Sequence, residues 1–394
     1  MKSVMHLYDV LVEYDERLGD GEEPVVLTLT EKRGFIPQEV RFKKRLATAD
    51  TSSYKVVHRF DIAYNQYLLW AGAIAQNKDW ESGIVSPAYP TFRVRHGYDP
   101  RYIDWILAGE PIRLRYDAIS FGAVPRRRRA KVDDFLSIQI PDPPPLPEQK
   151  RIAKILDQAD ALRAKRRESI AKLDTFLQST FLDMFGDPVT NPKGWEVKKL
   201  GEVLTKIDSG WSPKCLERKA QENEWGVLKL GAVTYCRFDA SEQKALPPNL
   251  TPRKQIEVRP GDLLFTRKNT YDLVAAAAYV PEVRPKLMLP DLIFRLCVNK
   301  EKGLESVFLW HLLIQSHQRK KIQRMAGGAA GSMPNISKKK LQTVQIICPP
   351  LPLQQQFANI VTKVENQKQQ MRDHITQLDT LFASLQSRAF NGDL

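Results

Sequence analysis

The sequence predicts an α+β protein written twice, with two mixed heads, each followed by one long helix, and the two helices antiparallel. Three observations predict this. The phrase "PPPLPEQKRIAKIL" from Pro143 returns as "CPPLPLQQQFANIV" from Cys348, so that Pro144, Pro145, Leu146 and Pro147 match Pro349, Pro350, Leu351 and Pro352 at an offset of 205 residues. Gln149 matches Gln354, Ala153 matches Ala358 and Ile155 matches Ile360 at the same offset, as does "LDTFLQS" from Leu173 with "LDTLFAS" from Leu378. The stretch from Glu148 to Phe185 contains neither glycine nor proline. Upstream of each proline phrase lie short apolar runs bounded by Gly, Pro, Asn and Asp, which is how strands read.

The heads come first. "VLTLT" from Val26 faces "VLKLG" from Val227, and "FDIAYN" from Phe60 faces "GDLLFT" from Gly261, both at an offset of 201. "SPAYPTFRV" from Ser86 resembles "LPDLIFRLC" from Leu289, and "IDWILAG" from Ile103 resembles "FLWHLLI" from Phe308. "PVVLTLT" and "DLLFTRK" read as strands, "DPRYIDWILAG" and "LESVFLWHLLIQSHQRKKIQRM" as helical stretches. Small slips in offset are what loop insertions produce. A period near half the chain excludes solenoids, whose repeats run about 20–50 residues. The expected boundaries are 1–142 for the first head, 143–187 for the proline linker and central helix, 188–347 for the second head, and 348–394 for the second linker and C-terminal helix.

The helices follow. Prolines suit a helix start, where φ is preset and the amide needs no partner. Gly186 and Pro188 supply the Gly-then-Pro ending. Apolar residues recur at three-and-four spacing, which selects Ile152, Ile155, Leu162, Leu173 and Phe176 in the first helix. In the second it selects Phe357, Ile360, Val364, Leu378 and Leu381 for helix–helix packing. Arg166, Ser169, Gln367 and His374 interrupt the pattern, either fixing register or facing water. A compact domain keeps its termini close, so the second helix should start near where the first ends. The pair is then an antiparallel coiled coil with internal pseudo-two-fold symmetry. A 38-residue helix spans about 57 Å, or about 17 base pairs of DNA.

Composition narrows the function. The 394 residues are 42% hydrophobic and 27% charged, the profile of a globular protein with two or three domains. No apolar run reaches the roughly 20 residues of a membrane span, and the first twenty residues lack an apolar leader core, so a cytoplasmic protein is expected, with no membrane partner. The four cysteines, Cys215, Cys236, Cys297 and Cys348, form no C-x-x-C pair, which argues against structural zinc. The formal charge of +14 favours a polyanion, with nucleic acid first. No G-x-x-x-x-G-K-[ST] loop and no Asn/Asp-Pro-Pro-aromatic tetrad is present. "LPDLIFRLCVNKEKG" from Leu289 places Lys300, Glu301 and Lys302 in the wrong order for a carboxylate–lysine nuclease centre, and reads as a core strand.

"PPLPEQKRIAKILDQADALRAKRRES" resembles the central region of type I restriction–modification specificity subunits. "GIVSPAYPTFRV" from Gly83 and "PNISKKKLQTVQIICPPLPLQQQ" from Pro334 resemble phrases of their target recognition domains. Two features depart from the family pattern. The first head lacks a clear equivalent of "PKGWEVKKLGEVLTKIDSG" from Pro192, and the second linker reads "LPLQQQ" in place of "LPEQKR". The resemblance implies a non-catalytic subunit that recognises a bipartite double-stranded DNA target, one half-site per head, with a spacer set by the helices. It implies two DNA methyltransferase subunits and restriction/translocase subunits as partners. S-adenosylmethionine, ATP and Mg2+ would be held by those partners, with none bound by this chain. The rivals are a nuclease or methyltransferase with duplicated recognition domains, and a helical structural adaptor.

The residue types suited to DNA lie in matching places. Arg126, Arg127, Arg128, Arg129 and Lys131 form a cationic run in the first half, and Ser332, Asn335, Lys338, Lys339 and Lys340 stand at the matching place in the second. Arg267, Lys268, Asn269 and Tyr271 follow a strand, and Asn65, Gln66 and Tyr67 are their counterparts. Tyr89, Arg93 and Arg95 come from "SPAYPTFRVRH". Cations neutralise phosphates, arginine grips guanine in two places and asparagine grips adenine. The alternative for each is a solvated loop, and for "RAKRRES" from Arg163 a solvated face or a partner surface.

Overall fold

The computed structural model describes residues 4–31, 33–42, 47, 50–124, 128–327 and 333–391. The chain divides into two compact units, one of Met1–Arg167 with Asp373–Leu394, the other of Glu168–Arg372.

In the first unit β1 (Leu11–Tyr14), β2 (Ile62–Tyr64), β3 (Ile74–Gln76) and β4 (Thr91–Val94) form an antiparallel sheet in the order β1-β4-β2-β3. Ile62, Tyr64 and Phe92 are buried against α1 (Pro100–Ala108). That helix starts cleanly: Pro100 opens it, and the Asp99 carboxylate accepts from the amides of Arg101 and Tyr102. α2 (Glu110–Ala118) and α3 (Val132–Leu136) follow. Leu27–Thr30 pairs with Gly34–Pro37, and Lys55–His58 with Ser82–Val85, over a smaller core of Leu29, Phe35, Val57 and Val85. The strand Val4–His6 pairs with Gln139–Pro141, so the chain enters and leaves this head side by side. It then runs into α4 (Leu146–Phe185), 40 residues long. α4 ends at Gly186, whose φ of +77° and crowding against Pro192 (2.7 Å from an ideal Cβ) admit no side chain.

The second unit repeats the plan. β5 (Leu204–Ser209), β6 (Leu263–Thr266), β7 (Ala277–Tyr279) and β8 (Ile293–Val298) take the order β5-β8-β6-β7, the same sequence of first, fourth, second and third strand. Gly226–Leu228 lies between Gln243–Ala245 and Leu287–Met288 in a smaller sheet. Val197–Lys199 pairs with Gln345–Ile347, again closing the head. α5 (Ser306–Ile314) and α6 (Ser316–Gln323) are separate helices, because Gln315 adopts an extended ψ of 134° between them. α7 (Lys338–Gln342) leads to α8 (Leu351–Asn391), 41 residues long. The aromatic core is dense: Phe181 and Phe185 of α4 lie 5.7 and 4.8 Å from Phe308, and each lies 5.5 Å from Phe357.

The two long helices pair antiparallel. In the first unit Ile152, Ala153 and Leu156, near the start of α4, share a core with Phe382 and Ala389, near the end of α8. In the second, Leu177, Phe181 and Phe185 share one with Phe357, Val361 and Val364. A buried glutamine fixes each helix start. Gln149 donates to Pro144 O (2.7 Å) and accepts from the Asp99 amide (2.8 Å) at the cap of α1. Gln354 donates to Pro349 O (2.7 Å) and accepts from the Glu305 amide (3.0 Å) at the cap of α5. These residues are the matching glutamines of the repeated phrase.

The packing stripe differs in part from the one the apolar spacing selects. Ile152, Phe357 and Val364 are buried, and Ile155, Leu173, Ile360 and Leu378 are half-buried. Leu162, Phe176 and Leu381 stand exposed. The buried stripe passes one residue further on, through Leu156, Leu177, Val361 and Phe382, and its mid-helix positions are Arg163 and Lys368. Apolar spacing alone prefers Leu162 to Arg163. The fold prefers Arg163, because its stem lies over an aromatic ring while its head finds carboxylates.

His311 of α5 is 4% exposed, its ring edge-on to Phe357 at 5.1 Å, and its Nε2 has no partner. Burial, helped by the Lys368 cation, pushes its pKa from 6.5 down to about 3. The folded state therefore keeps the ring neutral, whereas the unfolded chain takes up a proton below about 6.5. His311 thus favours folding above that pH and loses this contribution progressively down to about 3. Chemical denaturation of His311→Phe across this range should show a flatter loss of stability with acid than the natural chain.

Candidate nucleic-acid interface

Each head brings together two loops that are far apart in sequence. In the first unit the loop after β2 meets the segment before α3. Ala130 N donates to Gln66 O (2.9 Å), and Arg129 Nε donates to Gln66 Oε1 (2.7 Å). Asn65 Nδ2 donates to the Tyr89 hydroxyl (3.2 Å), and the Tyr67 amide donates to Asn65 Oδ1 (3.0 Å), which leaves the Tyr67 ring exposed. In the second unit the loop after β6 meets the segment before α7. Ile336 N donates to Arg267 O (2.8 Å), Asn269 N to Pro334 O (3.4 Å), and Arg267 Nε to Asn335 Oδ1 (3.1 Å). The arginine–amide pair is the same in both heads with the loops exchanged: Gln66 with Arg129, Arg267 with Asn335.

Cations and aromatics border the second loop pair. Lys338, Lys339 and Lys340 are exposed on the first turns of α7, although Lys340 Nζ donates to Met325 O (2.9 Å). Lys338 Nζ and the Arg267 guanidinium lie 5.7 and 5.2 Å from the Phe294 ring. Lys268 is half-buried and Tyr271 exposed. In the first head Lys131 is exposed at the cap of α3.

Other candidates have internal partners. Arg93 pairs with Glu16 (2.6 Å) and lies 4.2 Å over the Tyr14 ring. Arg95 Nε donates to Tyr8 O (3.1 Å) and Leu11 O (3.2 Å). Arg128 pairs with Asp117 (2.7 Å) and donates to Ser120 O (2.9 Å). Gln66 and Asn269 are buried, and Asn269 Nδ2 donates to Thr234 Oγ1 (3.3 Å). Tyr89 is half-buried. Arg126, Arg127 and Ser332 lie outside the described residues.

The structure adds neighbours that the sequence reading missed. Tyr235, 75% exposed, follows Thr234 and so flanks the Asn269 loop. The Ser212 hydroxyl donates to Asp291 Oδ1 (2.5 Å), while Asp291 O accepts from Arg267 Nη1 (3.4 Å), which brings the 211–214 segment to the same loop. Ser212 and Asp291 are 79 residues apart, beyond any local spacing signal.

The "LPDLIFRLC" run is the buried strand β8. Its Arg295 is paired inside the head with Asp208 (2.8 Å) and Asp262 (3.1 Å). Burial alone would raise the Asp208 carboxyl, but Arg295 and Lys206 outweigh it and hold it below its usual range. Among the described residues no three His, Cys, Asp or Glu side chains converge to hold a metal ion, and no helix is long and apolar enough to cross a membrane.

Residues 192–379 match the family described as the type I restriction modification DNA specificity domain. The second half of the chain is thus similar to a specificity domain of this kind. Over its length the chain resembles type I restriction enzyme specificity subunits. It is 34% identical to the EcoEI specificity subunit of Escherichia coli over 168 residues, 42% of this chain and 28% of that protein. It is 24% identical to the EcoKI specificity subunit of Escherichia coli strain K12, over 72% of this chain and 63% of that one. These two matches thus span less than two thirds of the relatives' own lengths. The MjaVIII specificity subunit of Methanocaldococcus jannaschii is 25% identical over 89% of this chain and 85% of its own. The fold is that of solved specificity subunits. The type I S subunit from M. genitalium superposes with a TM-score of 0.57 at 14% identity, over 99% of this chain and 96% of its own. A chain from a structure of type I restriction–modification complex assembly superposes at 0.53 and 19% identity, over 100% of this chain and 98% of its own.

Within the second unit, internal and surface cations should separate by their effect on folding. Arg295→Ala leaves Asp208 and Asp262 without their shared cation and should cost about 3–5 kcal/mol of unfolding free energy. Lys339→Ala should change it by less than about 0.5 kcal/mol. Urea titration of the two variants measures both.

Proposed function

We propose that this chain is the DNA-recognising specificity subunit of a type I restriction–modification complex, reading a bipartite target with one half-site per head. The observation that carries the reading is the duplicated loop pair. Two heads of equal strand order present the same two loops, joined in each by an arginine–amide pair and bordered by exposed lysines. Such a surface suits a duplex: lysines neutralise phosphates and fix position, while arginine and amide side chains have the donors and acceptors to read base edges. In this reading the helices set the number of unread base pairs between half-sites, since 40 residues of helix extend about 60 Å.

The chain itself performs no chemistry in this proposal. Two methyltransferase subunits, using S-adenosylmethionine, dock on the helices and heads, and the duplication offers each the same kind of surface. Restriction/translocase subunits, using ATP and Mg2+, join for cleavage. The match at 192–379 and the whole-length likeness to named specificity subunits support the assignment.

Sequencing of methylated sites in a host carrying this chain with its methyltransferase tests the proposal, and should return one split sequence with a constant gap. Replacing residues 192–340 by those of a relative should change one half of that sequence and keep the other. A change in both halves would refute one reader per half-site. Four residues added within both helices should lengthen the gap by about two base pairs, from 1.5 Å per residue against 3.4 Å per base pair. An unchanged gap would reject the helices as its determinant.

A further inference from the structure

The middle of each long helix carries a cation between two acids, and all three positions recur at the offset of the duplication. Arg163 of α4 donates to Asp160 (2.9 Å) and to Asp379 of α8 (2.6 Å). Lys368 of α8 pairs with Glu365 and with Asp174 of α4 (2.6 Å). Asp160 and Glu365, Arg163 and Lys368, Asp174 and Asp379 are each 205 residues apart, as the proline phrases are. Each helix therefore reads acid, cation three residues on, and a second acid eleven residues beyond the cation. In antiparallel pairing the cation of each helix meets the second acid of the other.

These groups belong to the packing stripe. Lys368 is 5% exposed, on the same stripe as Val364 and Phe382. The Arg163 guanidinium lies 4.2 Å over the Phe382 ring, with 18% of its side chain exposed. Apolar stripes of three-and-four spacing satisfy one another again after a slip of one heptad, because hydrophobic contact has no direction. The charged sets do not. A heptad slip carries Asp379 and Asp174 about 10 Å from Arg163 and Lys368, so that each cation keeps only the acid of its own helix and the buried Lys368 loses one of its two carboxylates.

We propose that the two acid–cation–acid sets are the register determinants of the helix pair, and through register the residues that fix the gap between half-sites. The second part rests on the function proposed above; the first stands without it. Arg163 and Lys368 are positioning residues and touch no base.

The exposed Arg167 of α4 also donates to Asp379 (3.0 Å), so the test uses the full chain with Arg167→Gln as background and Arg163→Met and Lys368→Met together, which removes the cations that meet Asp379 and Asp174 and keeps an apolar filling on the stripe. Spin-label amino acids replace Leu162 and Leu381, both exposed and both in the first unit. The natural sequence should give one narrow label–label distance. The double methionine variant should remain folded with an equal or higher Tm, yet give a second distance population. With its methyltransferase it should modify sites whose gap differs by one base pair or more at least tenfold more often. Exchanging the cations, Arg163→Lys with Lys368→Arg, should restore the single distance and the natural gap. One narrow distance with an unchanged gap in the methionine variant overturns the proposal. So does a lowered Tm at unchanged distance, which is all a merely structural role would produce. If the double variant does not fold, Arg163→Met alone carries the same readouts. If the natural chain directs methylation to no split sequence, the function reading fails, while the label distances still decide the register.

Discussion

The pairing of the first strand of each head with its last is the constraint on which the rest of the structure depends. Val4–His6 lies against Gln139–Pro141, and Val197–Lys199 against Gln345–Ile347. In the second unit this pairing brings the end of α4 and the start of α8 to one place, where Phe181, Phe185 and Phe357 pack together. Antiparallel helices follow from it without any special interaction along their length. The buried glutamines then tie each helix start to the cap of the helix before it. Gln149 and Gln354 are buried amides with both ends bonded, the arrangement in which a polar core group adds definition at little cost.

Charge has two distinct uses in this chain. Arg93, Arg95, Arg128 and Arg295 hold strands and loops together through carboxylates and backbone carbonyls. Lys131, Lys338 and Lys339 stand in solvent beside the paired loops. The net charge of +14 counts both kinds equally, so it marks an affinity for polyanions and says nothing about which residues express it. The arginine–amide pair lies between these uses. In each head it joins two loops and leaves polar groups at the place where they meet.

The difference between the expected and the observed helix stripe has the same origin. A pattern of apolar letters identifies a helix and roughly which face is buried. It does not rank Leu162 against Arg163, since it treats a charged side chain as outward by default. The carboxylate of Asp379, 216 residues away, makes the inward arginine favourable. Leu381 and Phe382 present the converse case: two adjacent apolar residues of which the spacing selects one, and contact with Trp105 at 5.3 Å selects the other.

The sequence by itself determined the duplication, the two long helices with their proline starts, and the mixed character of the heads. Each of these is a local or periodic property: proline and glycine act on their own backbone, and a tandem repeat is visible wherever both copies keep their residues. The adjacency of the loop after β6 and the segment before α7 is not legible there, because Arg267 and Asn335 are 68 residues apart and nothing local links them. Tertiary structure alone decided which of the candidate cations are free to meet a ligand. That depends on carboxylates and carbonyls delivered from distant strands, such as Glu16 to Arg93 across 77 residues, and on burial, which is set only when the whole head closes.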